Sequence, residues 1–200
     1  SMIIPIMCQL IYNETDAGFI SSCIISVIFG MLFFLSNLDH DKKINLKQAF
    51  LLTSLCWVSI ATFGCLPFIF SGMNLSVTDA FFESMSGITT TGSTIIINLN
   101  DAPKGILLWR AMLQWLGGIG IIVMAITLMP VMNVGGMQLF KISSNDKTEK
   151  VLPKTKEISI RLIIIYSILT FVCLSIYRIC GMNFFDSITH SMTTIATGGF

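Results

Sequence analysis

Uncharged apolar runs alternate along the chain with short polar clusters. Residues 17–38 hold 22 consecutive uncharged positions, enough for a helix to cross a hydrocarbon core of ~30 Å. A second run extends from 48 to about 73, with Pro67 near its far end. A third covers 111–140. Its helix is expected to start near Pro103, with Asp101 as N-cap just ahead of the proline, and to stop near Pro130. A fourth covers 158–179, with Arg161 and Arg178 near its ends. Residues 2–12 are apolar but too short to span, and are expected to be the remnant of an earlier helix. The pattern predicts an all-α integral membrane protein.

Two segments break this pattern. Residues 77–100 and 184–200 each begin with about ten apolar-rich positions and then become rich in glycine and threonine. A short helix followed by irregular backbone cannot face lipid, because its N–H and C=O groups would have no partners. It is stable at membrane depth only when covered by protein or lining a wet cavity. Each segment is therefore expected to be a re-entrant pore loop, giving repeated helix–loop–helix units.

The two loops align without a gap at a constant offset of 107 residues. Asp79/Asp186, Ser84/Ser191, Met85/Met192, Ile88/Ile195, Thr90/Thr197 and Gly92/Gly199 are identical, and upstream Lys47 falls on Lys154. Internal symmetry of this kind is common in transport folds. Ser76-x-x-Asp79 has the form of a capping box, and Asn183-x-x-Asp186 is its counterpart. The loop helices are thus expected to run to about Gly87 and Thr194. Asp79 and Asp186 are read as capping residues. Each helix C-terminus, carrying about half a negative charge, then points at a Thr-x-Gly segment: Thr90, Thr91 and Gly92 in one loop, Thr197, Gly198 and Gly199 in the other.

Composition changes the picture little. Over half of the residues are hydrophobic (54%) and only 12% are charged, against about 25% charged in a soluble domain. The net charge of +1 does not point to nucleic acid; where the charges sit does more. Lys42, Lys43 and Lys47 occupy 39–47, and five lysines with Arg161 occupy 141–161. Neither 13–16 nor 74–101 holds a lysine or arginine. The positive-inside rule puts the first pair of segments in the cytoplasm and the second pair outside. Six cysteines lie in apolar stretches without metal-ligand spacing and are read as small buried hydrophobes. A membrane enzyme would need clustered His, Asp or Cys at membrane depth; two separated histidines do not supply it. Gly117, Gly118 and Gly120 sit inside an apolar helix and are read as small residues permitting close helix approach. Arg110 either pairs with Glu83 on the loop helix or extends outward to water. His190, aligned with Glu83, is expected to pack behind its loop.

LPFIFSG (66–72), TDAFFESMSGITTTGST (78–94), WRAMLQWLGGIGIIVMAITLMPVMNVGGMQLF (109–140) and GMNFFDSITHSMTTIATGGF (181–200) resemble the Trk/Ktr/HKT superfamily of potassium transporters, most closely its Trk-type membrane subunits. The resemblance implies four helix–pore loop–helix repeats around one pore, often preceded by two extra helices. It implies potassium uptake through a backbone-carbonyl selectivity filter, with Thr90, Thr91, Gly92, Thr197, Gly198 and Gly199 as filter residues. Glycine at position 92 resembles the potassium-selective pattern. Residues 1–38 are expected to be the tail of the extra helix pair, and 47–130 one full repeat. Residues 131–153 would be a cytoplasmic linker, and 154–200 a second repeat as far as its filter. The chain is thus expected to be cut at both ends. No enzymatic activity and no cofactor is implied. The expected partners are potassium ions, the lipid bilayer, a second copy in a homodimer and a cytosolic nucleotide-sensing regulatory subunit, with 141–161 as a candidate contact. The expected location is the cell membrane, multi-pass. The alternatives are a sodium-permeable or sodium-coupled member of the same superfamily, or a non-conducting accessory fragment.

Overall fold

Several polar side chains are buried in this molecule beside an apolar core of Phe19, Phe68, Ile106 and Trp109, while many large apolar ones are exposed. In the computed structural model, which describes residues 2–14, 17–36, 46–97, 99, 102–132 and 148–199, Glu83, Ser84, Gln114, Ser187 and Ser191 are fully buried. Phe34, Phe171 and Ile179 are widely exposed. That pattern suits a chain whose outer solvent is hydrocarbon. Asp101 and residues 133–147 lie outside the described residues, so the expected N-cap and most of the expected linker have no structural description.

The described residues form eight helices: α1 (Ile3–Ile11), α2 (Gly18–Ser36), α3 (Leu46–Gly64), α4 (Leu66–Phe70), α5 (Val77–Ile88), α6 (Lys104–Met132), α7 (Thr148–Ile179) and α8 (Phe184–Ile195). Four windows are long and apolar enough to cross a membrane: Gly18–Ser36, Phe50–Phe70, Lys104–Met124 and Glu157–Ile179. All four spans expected from the sequence are therefore present.

Three boundaries differ from expectation. The second span is broken at Cys65 into α3 and α4. Pro67 lacks an N–H and its ring crowds the carbonyl four residues earlier, so the first helix stops; the same proline suits the first turn of the next. α6 continues to Met132, past Pro130. Pro130 lies two residues from the end, so its lost bond and ring clash fall on the last turn of the helix. α7 starts at Thr148, ten residues before the apolar run; Glu149, Lys150, Leu152, Lys154, Lys156 and Glu157 favour helix there, against Pro153 in its second turn.

α6 is the internal wall. Half of its spanning window is buried, against 6% of that in α7. It packs on α1, α5, α7 and α8. Trp109 on α6 donates its indole N–H to the Gly64 carbonyl at the end of α3, 2.9 Å away, and meets Phe19 of α2 edge-on. Trp115 donates to Thr170 Oγ1 on α7 at 3.0 Å. The N-terminus of α6 is capped from a distance. The Glu14 carboxylate accepts the backbone N–H of Lys104 at 2.6 Å and of Gly105 at 3.1 Å. A negative charge at two unpaired N–H groups of a helix start is favourable. The contact joins two segments that charge bias assigned to the same, outer side.

Candidate functional site

α5 and α8 begin and end in register with the repeat. Both are 12 residues long, and their limits, 77 to 88 and 184 to 195, keep the offset of 107. Each runs one residue beyond the end expected from the sequence. Ser76 caps α5, its hydroxyl accepting the Asp79 N–H at 3.2 Å. Asn183 precedes α8 at the matching position, but its side chain makes no cap bond. The exposed Asn183 amide has water as a competing partner, so half of the expected capping pair is corrected.

The two C-termini share one hydrogen-bond pattern. The N–H groups of Thr90 and Thr91 donate to the carbonyls of Gly87 and Ser86, both at 3.0 Å. Those of Thr197 and Gly198 donate to Thr194 and Thr193, at 3.0 and 3.1 Å. This is a Schellman ending, in which the residue after the cap is left-handed and usually glycine. Here it is threonine in both loops, with φ of 56° at Thr90 and 57° at Thr197. A β-branched residue in that region costs on the order of 1–3 kcal/mol and persists only where its surroundings hold it. Two residues later the chain is left-handed again, at Gly92 (φ 79°) and Gly199 (φ 70°).

The two segments touch. A Cβ placed on Gly92 would overlap the Gly198 carbonyl oxygen and lie 2.9 Å from its carbon. A Cβ on Gly198 would come 2.5 Å from Oε1 of Gln114. Gln114 is fully buried on α6, and among the described residues neither polar atom of its amide has a hydrogen-bond partner. It wedges between the loops, one helical turn from Arg110. Further along α6, Gly117 lets the helix lie against the Ile88 carbonyl at the end of α5. Gly118 faces the Tyr166 hydroxyl and Ala196. Close approach through small residues is the role expected of these glycines.

Behind the first loop, Glu83 and Arg110 form a buried ion pair, Nε to Oε1 at 2.6 Å. This decides between the two readings of Arg110. The chain leaving Gly92 turns back along α5. The Ser93 carbonyl accepts from Ser86 Oγ at 2.6 Å. The Thr94 hydroxyl donates to Glu83 at 2.9 and 3.1 Å, and the Ile95 N–H donates at 3.1 Å.

Residues 16–200 match the family of TrkH cation transport proteins. The chain belongs to that family. It is 42% identical to the Trk system potassium uptake protein TrkI of Halomonas elongata and 41% identical to the Trk system potassium uptake protein TrkH of Escherichia coli K12. Both alignments cover the whole chain, but only 41% and 42% of those relatives. The crystal structure of the potassium transporter TrkH from Vibrio parahaemolyticus superposes with a TM-score of 0.82 at 36% identity, over the whole chain and 40% of that protein. The chain thus spans about two-fifths of the length of these relatives.

Within this TrkH-family chain, the structure brings Gly92 and Gly198 into contact and leaves Thr91, Thr197 and Gly199 exposed at the turns. Among the described residues His190 is exposed, where packing behind its loop was expected. Glu83 is enclosed by Arg110 and the segment 93–95; at the offset of 107 the positions matching 93–95 begin at 200, outside the described residues. Among the described residues no cluster of three His, Cys, Asp or Glu is placed to hold a metal ion. Three features escaped sequence reasoning. Glu14 acts across 90 positions. The threonines at the helix endings stand where the rule expects glycine. Gln114 carries no local signal of its contact with two loops.

Proposed function

We propose that this chain forms part of a potassium-uptake pore, with 90–92 and 197–199 as two of the segments that surround the ion. The supporting observation is the duplicated turn: two helices end in the same strained way and deliver their Thr-x-Gly segments to one another. Thr90 and Gly92 are left-handed while Thr91 between them is not, and the same alternation runs through 197–199. In an ordinary strand successive carbonyls point to opposite sides. Alternation of handedness turns them to one side, as replacing an ion's hydration shell requires. The ion passes without covalent chemistry.

The partition that follows from this reading is 47–130 as one repeat, with 154–200 carrying a second as far as its loop. Residues 1–38 belong to a preceding helix pair, and 131–153 link the repeats. The family resemblance supports a homodimer with a cytosolic nucleotide-sensing subunit. The basic stretch 141–161 is the proposed contact, of which 141–147 lie outside the described residues.

The test is growth of cells lacking their own potassium uptake at limiting potassium, with the complete reading frame containing these residues supplied on a plasmid. Rescue by potassium that sodium does not compete away is expected. Membrane-inserted protein without rescue would refute the reading, and equal transport of sodium would favour a sodium-permeable relative.

A further inference from the structure

A carboxylate at zero exposure is costly unless its charge is matched and its lone pairs are used. Glu83 meets both conditions, with partners on two other parts of the fold. Oε1 takes the Arg110 Nε at 2.6 Å and the Thr94 hydroxyl at 2.9 Å, and Oε2 takes the Ile95 N–H at 3.1 Å. Arg110 lies on α6, one turn before Gln114. Thr94 and Ile95 lie two and three residues beyond Gly92 on the returning segment. The side chain thus links the pore-loop helix, the wall helix and the irregular segment that leaves the proposed filter.

This arrangement is more specific than general helix packing needs. An ion pair alone would join α5 to α6. The bonds to Thr94 and Ile95 add nothing to that joint, but they set the height and direction of the backbone just after Gly92. Ser86 supplies one more tie, to the Ser93 carbonyl. The Ser86 bond is the shorter, but Glu83 holds the segment at two successive residues and its bonds are charge-assisted. Its aligned residue in the second loop, His190, is exposed.

We propose that Glu83, held by Arg110, is a positioning residue that fixes the irregular segment 93–95 and thereby sets the ion preference of the 90–92 segment. Carbonyls that discriminate between ions of similar charge must keep their spacing. A segment released from its buried anchor lets the Gly92 carbonyl relax toward a smaller ion. The inference rests on the filter reading above.

The experiment uses the complete reading frame containing this chain, with rubidium and sodium uptake measured in cells and membrane abundance measured in parallel. Glu83→Gln and Arg110→Gln each leave one charge buried without its partner, and both are expected to lower rubidium preference over sodium about tenfold, equivalent to ~1.4 kcal/mol. The double variant Glu83→Gln/Arg110→Gln removes both charges and keeps an acceptor for Thr94 and Ile95, and is expected to recover most of the preference. Thr94→Val keeps the shape of an exposed residue and deletes one tie, so it folds even where the buried variants do not. It is expected to shift the preference in the same direction by a smaller factor. A purely structural pair would lower abundance and leave the ratio of ions unchanged. Normal preference in Thr94→Val, together with unchanged preference in whichever of the two single variants reaches the membrane, overturns the proposal. Gly92→Ser separates the two levels. If it changes the preference while the Glu83 set does not, the positioning role fails alone; if it too is silent, the filter reading fails.

Discussion

Replacing Gly92 by alanine adds one methyl group at the most crowded point between the two loops. Two costs arise. Alanine at φ 79° is a left-handed L-residue, which costs roughly 1–2 kcal/mol. The new Cβ also stands 2.9 Å from the Gly198 carbonyl carbon, inside the 3.4 Å at which ordinary contact begins, and overlaps the attached oxygen. Neighbouring backbone cannot fold away as a long side chain would, so one loop must move. Overpacking of this kind costs about 1–3 kcal/mol. The total, on the order of 2–5 kcal/mol, falls on the segment proposed to hold the ion. If as little as ~1.4 kcal/mol appears as lost discrimination, potassium preference over sodium drops about tenfold. The assay is initial uptake of rubidium and sodium by cells expressing the complete reading frame, normalised to membrane abundance. Gly30→Ala is the control: a Cβ there meets nothing within 4 Å, and alanine in a helix is favoured by up to about 1 kcal/mol. Gly92→Ala at normal abundance with unaltered ion preference would refute the argument from the contact of the loops.

Two further outcomes follow from α6. Gly117→Ala sets a Cβ against the Ile88 carbonyl, 2.7 Å from its carbon, and is expected to cost ~1–3 kcal/mol of stability by forcing α5 from the wall. Size-exclusion profiles and thermal unfolding in detergent read this directly, and a variant as stable as the parent would show that the two helices separate freely. Glu14→Gln removes the charge from the two N–H groups at the start of α6 and keeps one acceptor, so a loss of about 1–2 kcal/mol is expected. An unchanged unfolding temperature would show that the cap contributes nothing.

The interior of this chain also explains why its apolar composition is no guide to its core. Many Leu, Ile and Phe side chains of α2 and α7 are exposed, and the buried set mixes apolar residues such as Phe19, Phe68 and Ile106 with polar groups that need hydrogen bonds. Ser22 donates to the Gly18 carbonyl at 2.6 Å, and Ser71 to Phe68 at 2.9 Å. Such bonds within a helix or turn let small polar side chains sit at zero or near-zero exposure without a distant partner. Glu83 and Arg110 cannot do this locally, which is why they are paired across elements.

The one-dimensional pattern was enough for every statement that depends on solvent. An uncharged run of about twenty residues must become a helix in hydrocarbon, whatever its neighbours, because only a helix pairs all its own backbone groups there. The four spans and the exclusion of 77–100 and 184–200 from spanning follow from that rule alone. The duplicated Thr-x-Gly segments are read directly from the chain, and lysine bias supplies an expected orientation by a separate rule. The Ser76 cap was legible for a related reason, since donor and acceptor are three residues apart. What the sequence could not decide involves groups brought together from distant positions. Arg110 had two solutions of similar cost until α5 was seen to lie against α6. Glu14 was an ordinary turn residue until the start of α6 arrived beside it. Nothing near Gln114 or Gly198 in the chain says that they meet. The left-handed threonines at 90 and 197 run against local preference, and local preference is all that a sequence pattern reports. Backbone strain of that kind is held in place only by the packed loops and the wall behind them, so the tertiary structure alone determined where it would be.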